Sequence, residues 1–322
     1  MQTDSDILIV GGGLNGPALA LALADAGLSV TIIDARALPQ LKSRGFDGRS
    51  YAMALTSTRL LDGIGLWSDL SKNAQPILDI KVTDGRAGEG PSPFFMHFDH
   101  AEIEEGPMGY MVEDRHLRRA LLDALKTRKN VKQLFEETVV SQSVDNSGVT
   151  VALASGKAIR ARLLVGCDGR QSGTAQRAGI KRVGWDYGQT ALVCAVEHEK
   201  PHNGIAHQFF MPPGPLAILP LPGHRCSIVW SETTENARQI NSMTDADYLD
   251  VLRPRFGRFL GEISLVGDRF TYPLSLSLAE VLIAERLALV GDAAHGIHPI
   301  AGQGLNAGIR DIAALAEVLA DA

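Results

Sequence analysis

Between Gly291 and Asn306 the sequence reads GDAAHGIHPIAGQGLN, and its residue types offer two kinds of chemistry. Asp292, His295 and His298 recur every third residue, and two imidazoles with one carboxylate are the ligand set of a mononuclear iron oxygenase. Gly302 and Gly304 instead free the backbone just before a long apolar-periodic segment, so that a turn opens a helix and offers bare N–H groups to an anion. Local context separates the two. A spacing of three keeps side chains on one face only in a helix, whereas Gly296, Pro299, Gly302 and Gly304 argue for loop. No metal is expected. With the apolar run RLALV before it, the stretch reads as a strand-to-helix crossover facing something negatively charged.

A second crossover stands near the N-terminus. DILIV (6–10) is β-rich, GGGLNG follows, and PALALALADAG has helical composition. Gly11, Gly13 and Gly16 form G-x-G-x-x-G: the first makes the tight turn, the second admits a pyrophosphate, the third lets the helix pack on the strand. Pro17 suits a first helical turn. The next apolar run, LSVTIID, ends in Asp34, 18 positions after Gly16, close to the ~20 expected of an acid that binds a ribose. A dinucleotide site follows, with NAD and FAD both open. ARLLVGCDG (161–169) repeats the pattern, an apolar strand ending in Asp168 and a glycine; such strand ends gather ligands in open α/β sheets, although Asp-Gly also makes plain turns. Arg44 and Arg49 lie in a polar loop, and Arg115 opens the helical pattern VEDRHLRRALLDALK. Each is a solvated arginine or an anion contact, and a cation at a helix start is unfavourable unless it meets an anion.

A chain of 322 residues is long for one core, so two domains are expected. The net charge of −6 argues against nucleic acid as a partner. Cys167, Cys194 and Cys226 are too scattered for a disulfide framework or a zinc knuckle, which fits a reducing, cytoplasmic setting. Asp4 and Asp6 stand where a secretory signal needs positive charge, and no apolar run approaches the roughly 20 residues that span a bilayer. PILDIKVTD reads as one strand, GRAGEGPSP (85–93) as a loop, and VKQLF, TVVSQSVD and VTVALAS as a hairpin about Asn146–Gly148. From Gly184 the texture becomes successive β runs, QTALVCAVEHE, IAHQFFM, GPLAILPLP and HRCSIVW, with no helix before DADYLDVLRPRFGRFL. This reads as an antiparallel sheet inserted into a Rossmann-like α/β fold. Phe209, Phe210 and Trp230 are core or pocket residues; Arg253, Arg255 and Arg258 are a solvated face or a contact to anionic lipid.

GGGLNG at 11–16, CDGRQS at 167–172 and GDAAHGIHPIAGQGLNAGIRD at 291–311 together resemble the class A flavoprotein monooxygenases of the p-hydroxybenzoate hydroxylase fold. Within them the chain is most similar to the ubiquinone-biosynthesis hydroxylases, the 2-octaprenyl-6-methoxyphenol hydroxylase branch above all; DGRSYAMAL (47–55) and GPLAILPLPGHRCSIVW (214–230) share in the resemblance. The resemblance implies an FAD-binding domain from 1–75, 100–182 and 265–322, and a substrate domain from 76–99 and 183–264. It implies that Gly11, Gly13 and Gly16 hold the FAD pyrophosphate, Asp34 the ribose and Asp292 the ribityl chain. Arg49 and Arg115 match flavin-contacting positions, Asp168 would position flavin and nicotinamide, and Gly302, Gln303, Gly304 and Asn306 would lie beside the isoalloxazine. Many relatives carry an arginine seven positions after that aspartate, where this chain has Ala175, with Arg177 nearby. Family chains also continue past this helix, so a C-terminal family extension beyond Ala322 is expected to be absent from this sequence.

The implied activity is FAD-dependent hydroxylation of the aromatic ring of a polyprenylated phenol in ubiquinone biosynthesis. It runs through a C4a-hydroperoxyflavin, with O2 as co-substrate and NAD(P)H or another electron donor as reductant. Pro299 would pack at the flavin's reactive edge and His298 would assist at the phenol, while structural hydrogen bonding is the main expectation for both histidines. So apolar a substrate implies peripheral contact with the inner face of a membrane, and a ubiquinone-biosynthesis complex is an implied partner. Two other readings fit the same motifs: a flavin oxidoreductase acting on another aromatic or quinone without oxygen insertion, and a non-catalytic FAD-binding scaffold of a biosynthetic complex.

Overall fold

The computed structural model describes residues 3–38, 46–102 and 104–322; Arg44 lies outside them. β1 (Ser5–Val10) passes through GGGLNG into α1 (Asn15–Asp25) and returns as β2 (Val30–Asp34). β3 (Ser50–Met53), α2 (Leu55–Gly63), α3 (Trp67–Leu70) and β4 (Gln75–Ile77) lead to the hairpin of β5 (Asp79–Arg86) and β6 (Gly90–Asp99). β7 (Gly109–Glu113) turns directly into α4 (Asp114–Leu125), followed by β8 (Val131–Phe135), β9 (Val139–Asp145), β10 (Gly148–Leu153), β11 (Ala158–Gly166) and α5 (Gly173–Arg177). Next come β12 (Arg182–His198), β13 (Ile205–Met211), β14 (Gly214–Leu221), β15 (Arg225–Thr233), α6 (Thr234–Asn241), α7 (Asp245–Phe256) and β16 (Ile263–Ala279). The chain ends with β17 (Ile283–Ala284), β18 (Leu287–Leu289), β19 (His295–Gly296) and α8 (Gln303–Ala320).

β2 is buried at every position, as a parallel strand covered on both faces must be. It belongs to a sheet ordered β17-β18-β11-β1-β2-β8, in which β18, β11, β1, β2 and β8 run parallel and the β9–β10 hairpin attaches to β11. The apolar faces of α1, α4 and α8 pack over it, with Leu19, Leu21, Leu121, Leu122 and Ile312 fully buried. A second sheet is ordered β19-β16-β12-β15-β14-β13-β5-β6. One of its faces is closed by α6 and α7, where Trp230, Tyr248 and Phe256 are buried. β3, β7 and β4 make a third, three-stranded sheet.

Several elements differ from the sequence reading. VKQLF is not part of the hairpin: it pairs parallel with β2, whose buried edge would otherwise leave its N–H and C=O groups unpaired. PILDIKVTD divides between two sheets at Leu78, and the expected loop 85–93 contributes residues 90–93 to β6. The second sheet is mixed, since β13 and β5 run parallel. β16, expected from 265 onward in the nucleotide-binding part, pairs along its length with β12. TENARQIN, read as part of the β region, is the helix α6, capped by Thr233 Oγ1 accepting from Asn236 N. No helix among the described residues is long and apolar enough to cross a membrane.

Candidate cofactor and active site

Parallel register brings the strand ends together. Val10 is level with Ile33 and Gly166, and Gly166 with Leu289. Gly11, Asp34, Cys167–Asp168 and Gly291–Asp292 therefore leave one edge of one sheet, the edge where open α/β folds bind ligands. The glycines there do different work. Gly11 has φ +116°, and a Cβ on it would stand 2.3 Å from the Cys167 carbonyl oxygen; a Cβ on Gly16 would stand 1.9 Å from the Gly11 carbonyl oxygen. Both are forced by protein packing. Gly13 and Gly304 meet nothing within 4 Å, so their missing side chains leave room for something other than protein.

The helix starts support the same view. α1 and α8, which start at the ligand edge, have no side-chain cap and no acid in the first turn; α2 is also uncapped, while Ser172, Thr233 and Thr244 cap their own helices. Uncapped N–H groups beside an open cradle suit an anion. Asp34 ends β2 and accepts from Gly12 N at 2.6 Å and from the Arg36 guanidinium at 3.0 Å. Burial would raise its pKa, but the Arg36 and Gly12 hydrogen bonds outweigh it and hold the carboxyl below the usual range. Glycine turn, free N–H groups, terminal acid and second helix start together fit an FAD.

The loop from Gly291 to His298 is tied from three directions. Arg170 Nε donates to Asp292 Oδ2 at 3.2 Å and its Nη2 to the Ile297 carbonyl at 3.0 Å. From the second sheet, Arg182 Nη2 donates to the Asp292 carbonyl at 3.2 Å, its Nη1 reaches the Ala293 carbonyl, and β19 pairs with β16. From α8, Asp311 Oδ2 accepts from Gly291 N at 2.8 Å and meets His295 Nε2 at 2.7 Å. Arg170 and Asp311 sit inside motifs that the sequence displays, yet neither residue type nor spacing marks them; Arg182 carries no sequence signal. The Asp311 hydrogen bond raises the His295 pKa, so folding favours the protonated ring. That stabilisation is complete below the ordinary value near 6.5 and is lost as pH rises through the raised folded value. His295→Gln should therefore lower the thermal midpoint more at about pH 6 than at about pH 9; a pH-independent difference would remove the charged pair.

Asp292, His295 and His298 do not converge. Asp292 faces Arg170, His295 faces Asp311, and His298 Nδ1 accepts from Ile300 N at 3.2 Å, with its ring 5.5 Å from Tyr187. Burial and the nearby Arg170 lower the His298 pKa. Pro299 leads into Ala301 (φ +53°) and Gly302 (φ +63°), whose left-handed backbone turns the chain into α8. Gln303 Nε2 donates to the Ala301 carbonyl at 3.2 Å. Asn306, expected beside a flavin, is buried: it accepts from Ala54 N and Ser57 Oγ and donates to the Ala52 and Gly302 carbonyls. It joins α8 to the β3–α2 connection.

Asp168 is also occupied, accepting from Ser172 Oγ, Thr174 N and Thr174 Oγ1. Arg177 is turned away, to Gln142 and the Val139 carbonyl. Arg115 meets its anion within the chain: Glu113, buried, takes Arg115 Nε at 2.6 Å and Arg225 Nη2 at 2.8 Å. Arg49 binds Asp47 at 2.6 Å, lies 3.7 Å from Asp114, and holds its guanidinium 5.5 Å from the Phe270 ring on the open face of the second sheet. Trp230 and Phe209 are core, and Arg255 stacks on Trp230 at 4.7 Å, so the arginine cluster is not simply a solvated face.

A parallel sheet whose edge carries a glycine turn and an uncapped helix start, joined to a second large sheet, has the form of a dinucleotide-binding protein. The model of an FAD binding domain matches residues 4–322. Ubiquinone hydroxylase UbiL of Rhodospirillum rubrum is 48% identical over 315 residues, covering 98% of this chain and 72% of that protein. 3-Demethoxyubiquinol 3-hydroxylase of Escherichia coli is 34% identical over 320 residues, with 99% and 80% covered. Among solved structures, a PqsL variant from P. aeruginosa superposes with a TM-score of 0.82 at 24% identity over 98% of this chain and 86% of that one. p-Nitrophenol 4-monooxygenase PnpA from Pseudomonas putida gives 0.80 at 22%, over 99% and 80%; these two speak for the fold. The chain belongs to the FAD binding domain family of flavin-dependent monooxygenases, and FAD is its cofactor.

Proposed function

We propose that this protein hydroxylates the aromatic ring of a polyprenylated quinol or phenol on the route to ubiquinone. The observation that carries the reading is that the loop before α8 packs against the second and third sheets, Gly302 on Ala52 of β3 and His298 5.5 Å from Tyr187 of β12, in a chain 48% identical to a ubiquinone hydroxylase. FAD supplies the activation of O2 and the transfer of one oxygen atom; the chain binds, orients and shields. Gly11, Gly13 and Gly16 with the start of α1 take the pyrophosphate, Asp34 the ribose, and Asp292, steadied by Arg170, the ribityl hydroxyls. Gly302, Gln303 and Gly304 bring backbone N–H groups to a reduced, anionic flavin. Asp168 and Asn306 act through the loops that they hold, and Arg115 through Glu113.

His298 Nδ1 accepts from Ile300 N, so in the neutral ring the proton sits on Nε2 and can be donated to a substrate oxygen. Pro299 closes the loop beside it. Phe270, Tyr272 and Tyr187 exclude water from the ring's seat. Reducing equivalents come from NAD(P)H or another donor, and contact with a membrane surface follows from the substrate's tail.

The purified protein should be yellow and, given 3-demethoxyubiquinol, a reductant and isotopically labelled O2, should release product carrying one labelled oxygen. Quinol consumption with peroxide and no labelled product would leave an oxidoreductase without oxygen insertion. Asp292→Ala should weaken FAD binding by about tenfold, the size of one lost hydrogen bond to a charged group; unchanged affinity removes the ribityl role.

A further inference from the structure

The open face of the second sheet carries one unbroken cross-strand row. Phe270 stands opposite Val193, Val193 opposite Val229, Val229 opposite Ala217, Ala217 opposite Gln208, Gln208 opposite Val82 and Val82 opposite Met96. Side chains alternate between faces along each strand, so all seven point to one side. On the other side the central strands' neighbours Leu192, Cys194, Ile228, Leu216 and Ile218 are fully buried, whereas every member of the row is part-exposed or exposed. None is charged. Gln208, the one polar member, donates to the Leu216 carbonyl. One flank of the row is walled where Ala195, Ala206 and Leu221 pack against Ile77 and Met111 of the three-stranded sheet.

Length distinguishes this floor from a ring pocket. Six inter-strand steps of ~4.8 Å give about 29 Å, while an aromatic ring covers little more than one step. The inner end is Phe270 beneath Arg49. The outer end is Met96 on β6, the last strand of the sheet, flanked on the same face by Phe94 and Phe98; these three are 60%, 86% and 45% exposed. Large apolar side chains on an edge strand favour unwanted association unless a ligand uses them.

Resting on the proposed quinol hydroxylation, we propose that this row is the seat of the substrate's isoprenoid tail, which lies across seven strands from Phe270 to the β6 edge. A long, flexible, uncharged hydrocarbon matches a floor of this length and polarity, and the floor begins where the ring would be held.

Val82→Asp and Met96→Asp test it, with His97→Asp, exposed on the opposite face of β6, as control. Each variant is assayed with 3-demethoxyubiquinol bearing a long tail in detergent and with the analogue carrying a methyl in its place. The two row variants should raise KM for the long-tailed quinol about tenfold or more, the effect of losing two or so methylene contacts, and leave kcat, the tail-less substrate and FAD retention unchanged, because tail contacts are equal in ground and transition states. The control should behave as the parent does. Equal effects on both substrates, or none on either, overturn the proposal. A long-tailed quinol with a diazirine at the tail terminus should label the β5–β6 peptide, and labelling confined elsewhere overturns the proposal. If neither quinol is hydroxylated, the hydroxylase reading falls, and the labelling pattern still decides whether the row binds a tail.

Discussion

Gly13→Val should yield a colourless protein whose unfolding free energy, measured on the FAD-free form, stays within about 0.5 kcal/mol of the parent. A side chain at 13 meets no protein atom within 4 Å, so packing is undisturbed, and what is filled is the space reserved for the pyrophosphate. Gly16→Ala should do the reverse. Its methyl would stand 1.9 Å from the Gly11 carbonyl oxygen, and relief requires α1 to move off β1, at a cost of about 3 kcal/mol or more. Denaturant unfolding of both FAD-free variants, with flavin absorbance after desalting, separates the two effects. A yellow Gly13→Val protein would show that the pyrophosphate lies elsewhere.

Asn306→Leu should destabilise the folded protein by about 2–4 kcal/mol, since it keeps the volume but strands the buried Ser57 hydroxyl and three part-buried backbone groups at ~1–3 kcal/mol for each group left unsatisfied, partly relieved by water and relaxation. The stranded groups are Ala54 N–H, the Ser57 hydroxyl, and the Ala52 and Gly302 carbonyls. Because Asn306 anchors the start of α8 to the β3–α2 connection, FAD affinity should fall with stability, and glycerol or excess FAD should recover part of both. A loss below about 1 kcal/mol would mean that water takes over the four bonds.

Asn306 also illustrates the limit of motif reading. G-x-G-x-N in a crossover is visible in one dimension, but its meaning is not. The asparagine lies one helical turn into α8, and three of its amide's four partners are more than 240 positions away in sequence. Asp168 is similar: Asp-Gly at a strand end is compatible with ligand or turn, and the hydroxyls of Ser172 and Thr174 occupy both of its oxygens. Strand membership had the same difficulty. VKQLF and GPSP are short and ambiguous, and the unpaired edges of β2 and β5 decide where they go.

The nucleotide-binding crossover is legible in one dimension, because Gly11, Gly13 and Gly16, Asp34 and the following helix are local in the chain and their steric reasons are local too. The family is legible too, through GDAAHGIHPIAGQGLNAGIRD, and Gly296, Pro299, Gly302 and Gly304 argue there against a helical spacing for Asp292, His295 and His298. Tertiary packing settles which charged groups meet: Asp311 with His295, Glu113 with Arg115 and Arg225, Arg182 with the carbonyls of Asp292 and Ala293. It alone laid Phe270, Val193, Val229, Ala217, Gln208, Val82 and Met96 in one line. These partners are far apart in sequence, and burial and sheet register, which choose them, are properties of the packed chain rather than of any segment of it.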